Sequence, residues 1–257
     1  MSIEPLLDVK NLKVYFNSDD KPIKAVDDVS FFVRKGEIVS LVGESGSGKS
    51  ISALSVTKLA PQSAKYLGGE IVYDNVDLFK LSGNSLRKIR GNNIGYIFQE
   101  PMTSFNPVLT VKDQIQEAIF MHNKKKIINV DYLLSKVQLP SRIKNSYPHE
   151  MSGGQLQRCM IAMALACSPK LLIADEPTTA LDVTVQKEIL TLLNSLKKTE
   201  ELSILLITHN FGVVSEIADR VYVMQNGKIV ESGKTKEILC FPKNDYTKKL
   251  ISAVPRM

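Results

Sequence analysis

Residues 43–50 form a glycine-rich loop of the kind that binds phosphate groups. They read Gly-Glu-Ser-Gly-Ser-Gly-Lys-Ser and match the pattern G-x-x-x-x-G-K-[ST]. An apolar, strand-like run at 37–42 precedes the loop, and a run with helical spacing at 51–57 follows it. Glycines let the backbone approach phosphate oxygens closely, and a helix that follows adds the positive end of its dipole. The sequence therefore predicts a nucleotide site in this loop.

Two side chains of the loop have specific roles in such a site. Lys49 can reach the β- and γ-phosphates, and the hydroxyl of Ser50 can bind Mg²⁺. The whole loop and the first residue after it are predicted to contact the nucleotide: Gly43, Glu44, Ser45, Gly46, Ser47, Gly48, Lys49, Ser50 and Ile51.

Two carboxylates follow a second apolar, strand-like run at 171–174. In a parallel sheet, ligands collect beyond the carboxyl ends of the strands. Asp175 can therefore hold Mg²⁺, directly or through water. Glu176 is one residue further on and points elsewhere, so it can polarise the water that attacks the γ-phosphate. Without the phosphate loop, the pair would be interpreted as acidic turn residues before Pro177.

Two more polar residues follow apolar runs in the same way. Gln99 follows the run 94–98, and His209 follows the run 204–208. A lone glutamine or histidine at a strand end is usually structural or solvated. Beside a phosphate site, Gln99 can contact Mg²⁺ or the attacking water, and His209 can contact the γ-phosphate.

A second glycine-containing segment precedes a helical run at 156–166. Its residues Ser152, Gly153, Gly154 and Gln155 have the spacing of a capping box, in which the serine and the glutamine satisfy the first amides of a helix. The two glycines exceed what a cap needs. They leave bare backbone amides at a helix N-terminus, which suits an anion.

The elements that must position these residues follow an alternating pattern. Strand-like runs alternate with helical runs from residue 171 onward, which predicts an α/β fold with a largely parallel sheet. We expect strands at 7–16, 29–33 and 70–73 near the N-terminus, with Gly68 and Gly69 marking the end of the helix after the phosphate loop. From 111 to about 148 the pattern is helical, with proline breaks.

Composition bounds the class of protein. The chain has 257 residues, of which 44% are hydrophobic and 23% are charged. No apolar run approaches the ~20 residues that a membrane span needs, and the N-terminus does not resemble a signal peptide. The cysteines at 159, 167 and 240 are interpreted as buried, reduced thiols. The net charge of +6, with a short basic run at 124–126, favours a solvated basic surface over nucleic-acid or membrane binding.

Taken together, these motifs resemble the ATP-binding subunit of an ABC transporter over 7–256. The phosphate loop matches the Walker A motif, and residues 171–176 match the Walker B strand. Residues 151–155 match the signature motif, with Met151 in place of leucine. Gln99 matches the Q-loop, residues 180–182 match the D-loop, and His209 matches the switch histidine. By spacing, Phe16 best fits the aromatic residue that stacks on adenine, and Tyr15 is the alternative.

The resemblance implies a P-loop NTPase of the ABC type that hydrolyses ATP with Mg²⁺. It implies a single domain over 1–257, in which residues 1–100 and 165–235 form a RecA-like core with an N-terminal antiparallel β subdomain. A helical subdomain is expected at about 101–164 and a short helical tail at 236–257. Two subunits would form a head-to-tail dimer. The 152–155 loop and Asp182 of one subunit would then cover the nucleotide bound by the other.

A narrower resemblance is to the dipeptide, oligopeptide and nickel import branch. It rests on 99–107, 147–152, 161–166, 174–186 and the ending that begins at Tyr246. It implies a peripheral subunit on the cytoplasmic face of the membrane. Its partners would be two transmembrane permease subunits, a second ATPase subunit, and indirectly an extracytoplasmic substrate-binding protein; no nucleic acid is expected. A heterodimer is favoured over a homodimer, and peptide cargo over nickel or a metal chelate. A soluble ABC ATPase acting on nucleic acid or ribosomes is the further alternative.

Overall fold

The fold is taken from a computed structural model that describes residues 4–17, 21–122 and 128–253. The basic run 124–126, residues 18–20 and the residues after Ala253 lie outside these ranges. Within them, no helix is both long enough and apolar enough to cross a membrane.

The described ranges contain both strands and helices. The strands are β1 Leu7–Phe16, β2 Ile23–Val33, β3 Ile38–Val42, β4 Ala64–Tyr73, β5 Val76–Asp77, β6 Ile94–Ile97, β7 Leu171–Asp175, β8 Ser203–Thr208, β9 Arg220–Gln225 and β10 Lys228–Lys234. The α-helices are α1 Lys49–Val56, α2 Gly83–Ile89, α3 Pro101–Ser104, α4 Val111–His122, α5 Val130–Lys136, α6 Gly153–Ala164, α7 Val183–Thr199, α8 Phe211–Ile217, α9 Thr235–Cys240 and α10 Asp245–Ser252. From β6 to β9, single strands are separated by one or more helices.

The described residues form two compact units. The first is drawn from Met1–Leu86 and Ser203–Met257, and the second from Arg87–Leu202. In the first unit, β1 pairs antiparallel with both β2 and β4, which agrees with the antiparallel β subdomain that the family resemblance implies. In the same unit β3 pairs in parallel with both β8 and β9, and β10 pairs antiparallel with β9.

Burial explains why the central strands of the first unit were recognisable in the sequence. All residues of β3 and of β8 are buried. Parallel strands covered on both faces read as continuous apolar runs. Burying each Val, Leu or Ile side chain stabilises the fold by about 1.5–3 kcal/mol. This rigid arrangement holds the loop that follows β3.

In the second unit, β6 and β7 pair in parallel, and α6 packs against α3, α4, α5 and α7. A buried arginine helps to hold α6. Arg158 donates to the backbone carbonyl of Val137 at 3.1 Å and pairs with Glu188 of α7 at 2.9 Å. Because both partners lie on elements beside α6, the arginine fixes the helix that begins at the Ser152–Gln155 segment.

Two expectations need correction, and one strand was not predicted. Gly68 and Gly69 lie inside β4, where a Cβ on Gly69 would come within 2.7 Å of the Leu12 Cα, so close strand contact rather than a helix end accounts for Gly69. Strand β10 was not predicted, because none of its residues is buried and it lacks the apolar pattern of the buried strands. Cys240 is exposed; Cys159 and Cys167 are buried thiols as predicted.

Candidate functional site

The phosphate loop connects the buried strand β3 to α1 in the first unit. A Cβ on Gly43 would lie 2.2 Å from the carbonyl oxygen of Met224 in β9, so the loop starts in close contact with a neighbouring strand. A Cβ on Gly48 would lie 2.2 Å from the carbonyl oxygen of Ala25 in β2. By contrast, a Cβ on Gly46 would meet nothing within 4 Å. The glycines at the two ends thus serve close packing, and the middle of the loop faces open space.

These two kinds of glycine make a matched pair of substitutions. Gly46 and Gly48 both have positive φ, 78° and 101°, so alanine at either position carries a backbone cost of about 1–2 kcal/mol. Only Gly48→Ala also collides with a backbone carbonyl. We expect Gly48→Ala to lower the free energy of unfolding by about 2 kcal/mol or more beyond Gly46→Ala, measured by urea denaturation. Equal losses would contradict the packing role of Gly48.

Lys49 is buried in the loop at 5% exposure. Its ammonium donates to the carbonyl oxygens of Gly43 at 2.7 Å and Glu44 at 2.8 Å. A third contact, at 3.4 Å, is to the Ser47 hydroxyl. The loop therefore wraps around a fixed positive charge at the N-terminus of α1, where the helix dipole adds to the attraction for an anion.

Two parts of the first unit hold the loop from outside. The amide of Gly227, in the turn between β9 and β10, donates to the Ser47 carbonyl at 3.0 Å. The amide of Glu44 donates to the hydroxyl of Tyr246 in α10 at 2.9 Å. Sequence reasoning assigned neither Gly227 nor Tyr246 to the site. The Asn226–Gly227 dipeptide is a recognisable hairpin-turn signal, whereas no local pattern links Tyr246 to the loop.

His209 lies at the same edge of the sheet as the phosphate loop. In the parallel pairing of β3 with β8, Val42 is the register partner of Thr208. Gly43 and His209 are therefore the residues that follow two paired strand ends. His209 is exposed, and Asn210 after it caps α8 by accepting a hydrogen bond from the Gly212 amide at 2.7 Å.

The two aromatic candidates for the adenine site have different surroundings in β1. The Tyr15 hydroxyl donates to the Asp27 carboxylate at 2.6 Å, and the Lys24 ammonium lies 5.6 Å from the ring centroid. The hydrogen bond to Asp27 raises the pKa of Tyr15. Phe16 is half-buried, and adjacent strand residues point to opposite faces. The contacts of Tyr15 with Asp27 and Lys24 favour Phe16 as the ring that stacks on a base.

The acidic pair lies in the second unit, at the end of β7. Asp175 is 7% exposed. Burial raises the pKa of Tyr96, in the paired strand β6, far above its usual range, and the nearby Asp175 carboxylate raises it further. Glu176 has a φ of 47°, an uncommon conformation for a non-glycine residue, and its carboxylate accepts a hydrogen bond from the Thr179 hydroxyl at 2.7 Å. A strained backbone at a polar strand end is typical of functional sites.

Gln99 and the acidic pair lie at the ends of two strands that pair with each other. Ile97 pairs with Ala174 in parallel, so Gln99 and Glu176 each follow the paired strand ends by two residues. Gln99 is exposed. The structure therefore brings Gln99, Asp175 and Glu176 to one edge of the second unit.

The Ser152–Gln155 segment forms the predicted capping box at the start of α6. The Ser152 hydroxyl accepts from the Gln155 amide at 3.3 Å, and the Gln155 side chain accepts from the Ser152 amide at 3.1 Å. A Cβ on Gly154 would lie 2.6 Å from a methyl carbon of Val185, so this glycine also allows close packing on α7. Asp182 caps α7 by accepting from the Val185 amide at 3.0 Å. The Ser152–Gln155 segment and Asp182 are thus neighbours in one unit.

Comparison with known proteins identifies the family. The protein-family model described as ABC transporter matches residues 26–179 of this chain. A putative peptide import ATP-binding protein of Brucella ovis is 47% identical over 269 residues, covering 100% of this chain and 80% of that protein. The oligopeptide transport ATP-binding protein AppD of Bacillus subtilis is 49% identical over 257 residues, covering 97% and 78%.

Solved structures agree with this assignment. A dimeric structure of MJ0796, described as a bacterial ABC transporter cassette, has a TM-score of 0.80 at 29% identity, covering 89% of this chain and 98% of that one. A post-hydrolysis dimer of the same cassette, bound to ADP and phosphate, has a TM-score of 0.79 at 29% identity, with coverage of 89% and 98%. The chain belongs to the ABC transporter family. Within that family it is an ATP-binding subunit that hydrolyses ATP. The fold and the family expected from the motifs are confirmed.

Proposed function

We propose that this chain is the motor subunit of an importer that couples ATP hydrolysis to the uptake of di- and oligopeptides through partner membrane subunits. The observation that carries the proposal is 47–49% identity, across nearly the whole chain, to proteins named for peptide import and oligopeptide transport. Uptake of nickel or a metal chelate is the alternative that the experiment below would reveal.

The phosphate loop binds the triphosphate in this proposal. The amides of residues 43–51 surround the phosphates, and Lys49 exchanges its contacts with the Gly43 and Glu44 carbonyls for phosphate oxygens. Its buried position supports this role, because an ammonium acts more strongly on an anion away from water. Phe16 stacks on the adenine.

Hydrolysis is assigned to the polar strand ends. Glu176 orients and activates the attacking water, His209 contacts the γ-phosphate, and Gln99 contacts the water or the metal ion. Phosphoryl transfer depends mainly on positioning and charge neutralisation, which these residue types supply.

Mg²⁺ is assigned to the hydroxyl of Ser50, the carboxylate of Asp175 and the side chain of Gln99. Among residues 4–17, 21–122 and 128–253, no three His, Cys, Asp or Glu side chains cluster as a metal site. The oxygen donors of Ser50, Asp175 and Gln99 fit Mg²⁺, which usually takes one or two carboxylates together with substrate phosphates. When bound, the ion would neutralise charge on the phosphates.

The reactive assembly is proposed to be a dimer of ATPase subunits. The Ser152–Gln155 loop and Asp182 of one subunit cover the nucleotide held by the phosphate loop of the other. Ser152 and Gly153 are exposed at the start of the twelve-residue helix α6, where an incoming anion would meet the helix N-terminus. The similar cassette structures are described as dimeric. A second, different ATPase subunit is favoured over a second copy of this chain.

The membrane subunits are proposed to dock on the second unit near Gln99. Several large apolar side chains between β6 and the end of α4 are 44–75% exposed: Phe98, Met102, Val108, Phe120 and Met121. Exposed apolar groups concentrated in one segment favour a protein-interaction surface.

Purification from detergent-solubilised membranes tests the function. Two membrane proteins and a second ATPase are expected to copurify with the tagged chain, and the ATPase activity of the complex is expected to rise with a peptide-loaded extracytoplasmic binding protein. Stimulation only by a metal-loaded binding protein would replace peptide by the metal alternative. Copurification of ribosomes or nucleic acid without membrane proteins would contradict the importer.

Two surface variants, one of them a control, test where the membrane subunits dock. Val108→Asp puts a charge on a side chain that is 75% exposed, and it is expected to remove most of the copurifying membrane protein while ATP binding is retained. Ile23→Asp changes an apolar side chain that is 59% exposed on β2 of the first unit, and it should leave copurification intact. Equal losses in both variants would argue against docking at this segment.

A further inference from the structure

The peptide group that joins Gly43 to Glu44 is held from both sides. Its carbonyl accepts a hydrogen bond from the Lys49 ammonium at 2.7 Å. Its amide donates to the hydroxyl of Tyr246 at 2.9 Å, across 202 positions of sequence. Because a peptide group is planar, holding its N–H also sets the direction of its carbonyl. Tyr246 therefore helps to keep the Gly43 carbonyl directed at Lys49.

Tyr246 is itself held firmly within the first unit. It is the second residue of α10, and its ring packs beside a cluster of buried side chains that includes Val42, Phe211 and Ile238. The Asn244 side chain caps this helix by accepting from the Tyr246 amide at 2.8 Å. Packing of the ring and capping of α10 therefore fix the position of the Tyr246 hydroxyl beside the loop.

A glutamate of β10 anchors the segment just before α10. The Glu231 carboxylate accepts from the amides of Lys243 at 2.8 Å and Asn244 at 3.1 Å. Since β10 pairs with β9, and the β9–β10 turn donates to Ser47, both outer supports of the phosphate loop belong to the same hairpin and the helix it anchors. Any movement of α10 would be transmitted to the first peptide of the loop.

We propose that Tyr246 is a positioning residue for nucleotide binding, through which α10 holds the phosphate loop in the conformation that receives the phosphates. This inference rests on the proposed assignment of residues 43–50 to the phosphates. When the Lys49 ammonium moves from loop carbonyls to phosphate oxygens, the Gly43–Glu44 peptide loses that partner and keeps Tyr246. Without the hydroxyl, binding would have to order this peptide, which lowers affinity.

Removing only the hydroxyl tests the inference. Tyr246→Phe keeps the ring that packs in the cluster, so the variant chain should fold. We expect its Kd for Mg-ATP to rise about five-fold, which is the change in Kd that corresponds to the net free energy of one ordinary hydrogen bond. The KM for ATP should rise equally with kcat unchanged, because Tyr246 does not contact the reacting atoms. Isothermal titration and steady-state hydrolysis measure the two effects.

A second tyrosine provides a matched control in the same unit. The Tyr222 hydroxyl also accepts a backbone amide, that of Phe32 at 3.3 Å, but in β2 rather than in the phosphate loop. Tyr222→Phe should lower thermal stability about as much as Tyr246→Phe and leave the Kd unchanged. Equal or absent changes in Kd for the two variants would overturn the positioning role.

The loop assignment can fail separately from this inference. If Lys49→Ala abolishes ATP binding while Tyr246→Phe binds ATP like the unmodified chain, the loop binds phosphate and the positioning role is overturned. If Lys49→Ala itself binds ATP normally, the phosphate assignment is wrong and the inference falls with it.

Discussion

Glu176→Gln should bind ATP with unchanged affinity and lose ATP turnover by about 100-fold or more. The substitution keeps the size of the side chain and an oxygen that can accept the hydrogen bond from Thr179, which spans 2.7 Å in the native chain. It removes the carboxylate that we propose activates the water, and such general-base assistance is worth about 10²–10⁴-fold. Phosphate release under saturating ATP measures the loss.

An assembly change is expected with the same variant. If closure of the dimer precedes hydrolysis, Glu176→Gln should accumulate as an ATP-bound dimer, visible by gel filtration with Mg-ATP and absent with ADP.

A second glutamate with a left-handed backbone is the control. Glu201 has a φ of 51°, close to the 47° of Glu176, and it is exposed before β8. Glu201→Gln should hydrolyse ATP like the unmodified chain. If Glu176→Gln retained full turnover, another group would have to activate the water, and the proposed role would be wrong.

Lys49→Ala is expected to weaken ATP binding by at least about 30-fold, because truncating a buried charged partner costs about 2–5 kcal/mol. Lys49 is 5% exposed and donates to carbonyls of its own loop, so the substitution also removes contacts that shape the loop. Turnover should fall with binding. Titration with a fluorescent ATP analogue, together with the thermal midpoint without nucleotide, separates lost affinity from lost fold.

The lysine beyond the other end of α1 provides the comparison. Lys58 donates to the Phe79 carbonyl at 2.9 Å and lies over the Phe79 ring. Phe79 is not part of the phosphate loop. Lys58→Ala should lower stability slightly and leave ATP affinity unchanged. Native affinity in Lys49→Ala with an intact fold would remove this lysine from the phosphate site. Together, Lys49→Ala and Glu176→Gln separate the binding of ATP from its hydrolysis.

Local chemistry made several parts of the molecule predictable. The strands β3, β7 and β8 were expected within one residue at each end, because strands covered on both faces are continuous apolar runs. The capping box at Ser152–Gln155 was also expected, since both of its hydrogen bonds span only three residues. The motifs predicted the family, which the comparisons confirm. The roles of individual site residues and the domain boundaries stay predictions.

The tertiary structure alone decided which residues support the site. The Tyr246 contact joins residues 202 positions apart, and the packing of Gly154 on Val185 joins two separate helices. Such contacts depend on strand register and helix packing, which no short window of sequence encodes. The sequence by itself determined which residues could bind and cleave a phosphate, because that chemistry depends on residue type and close spacing. The fold decided what holds those residues in position, because the supports come from distant strands and helices.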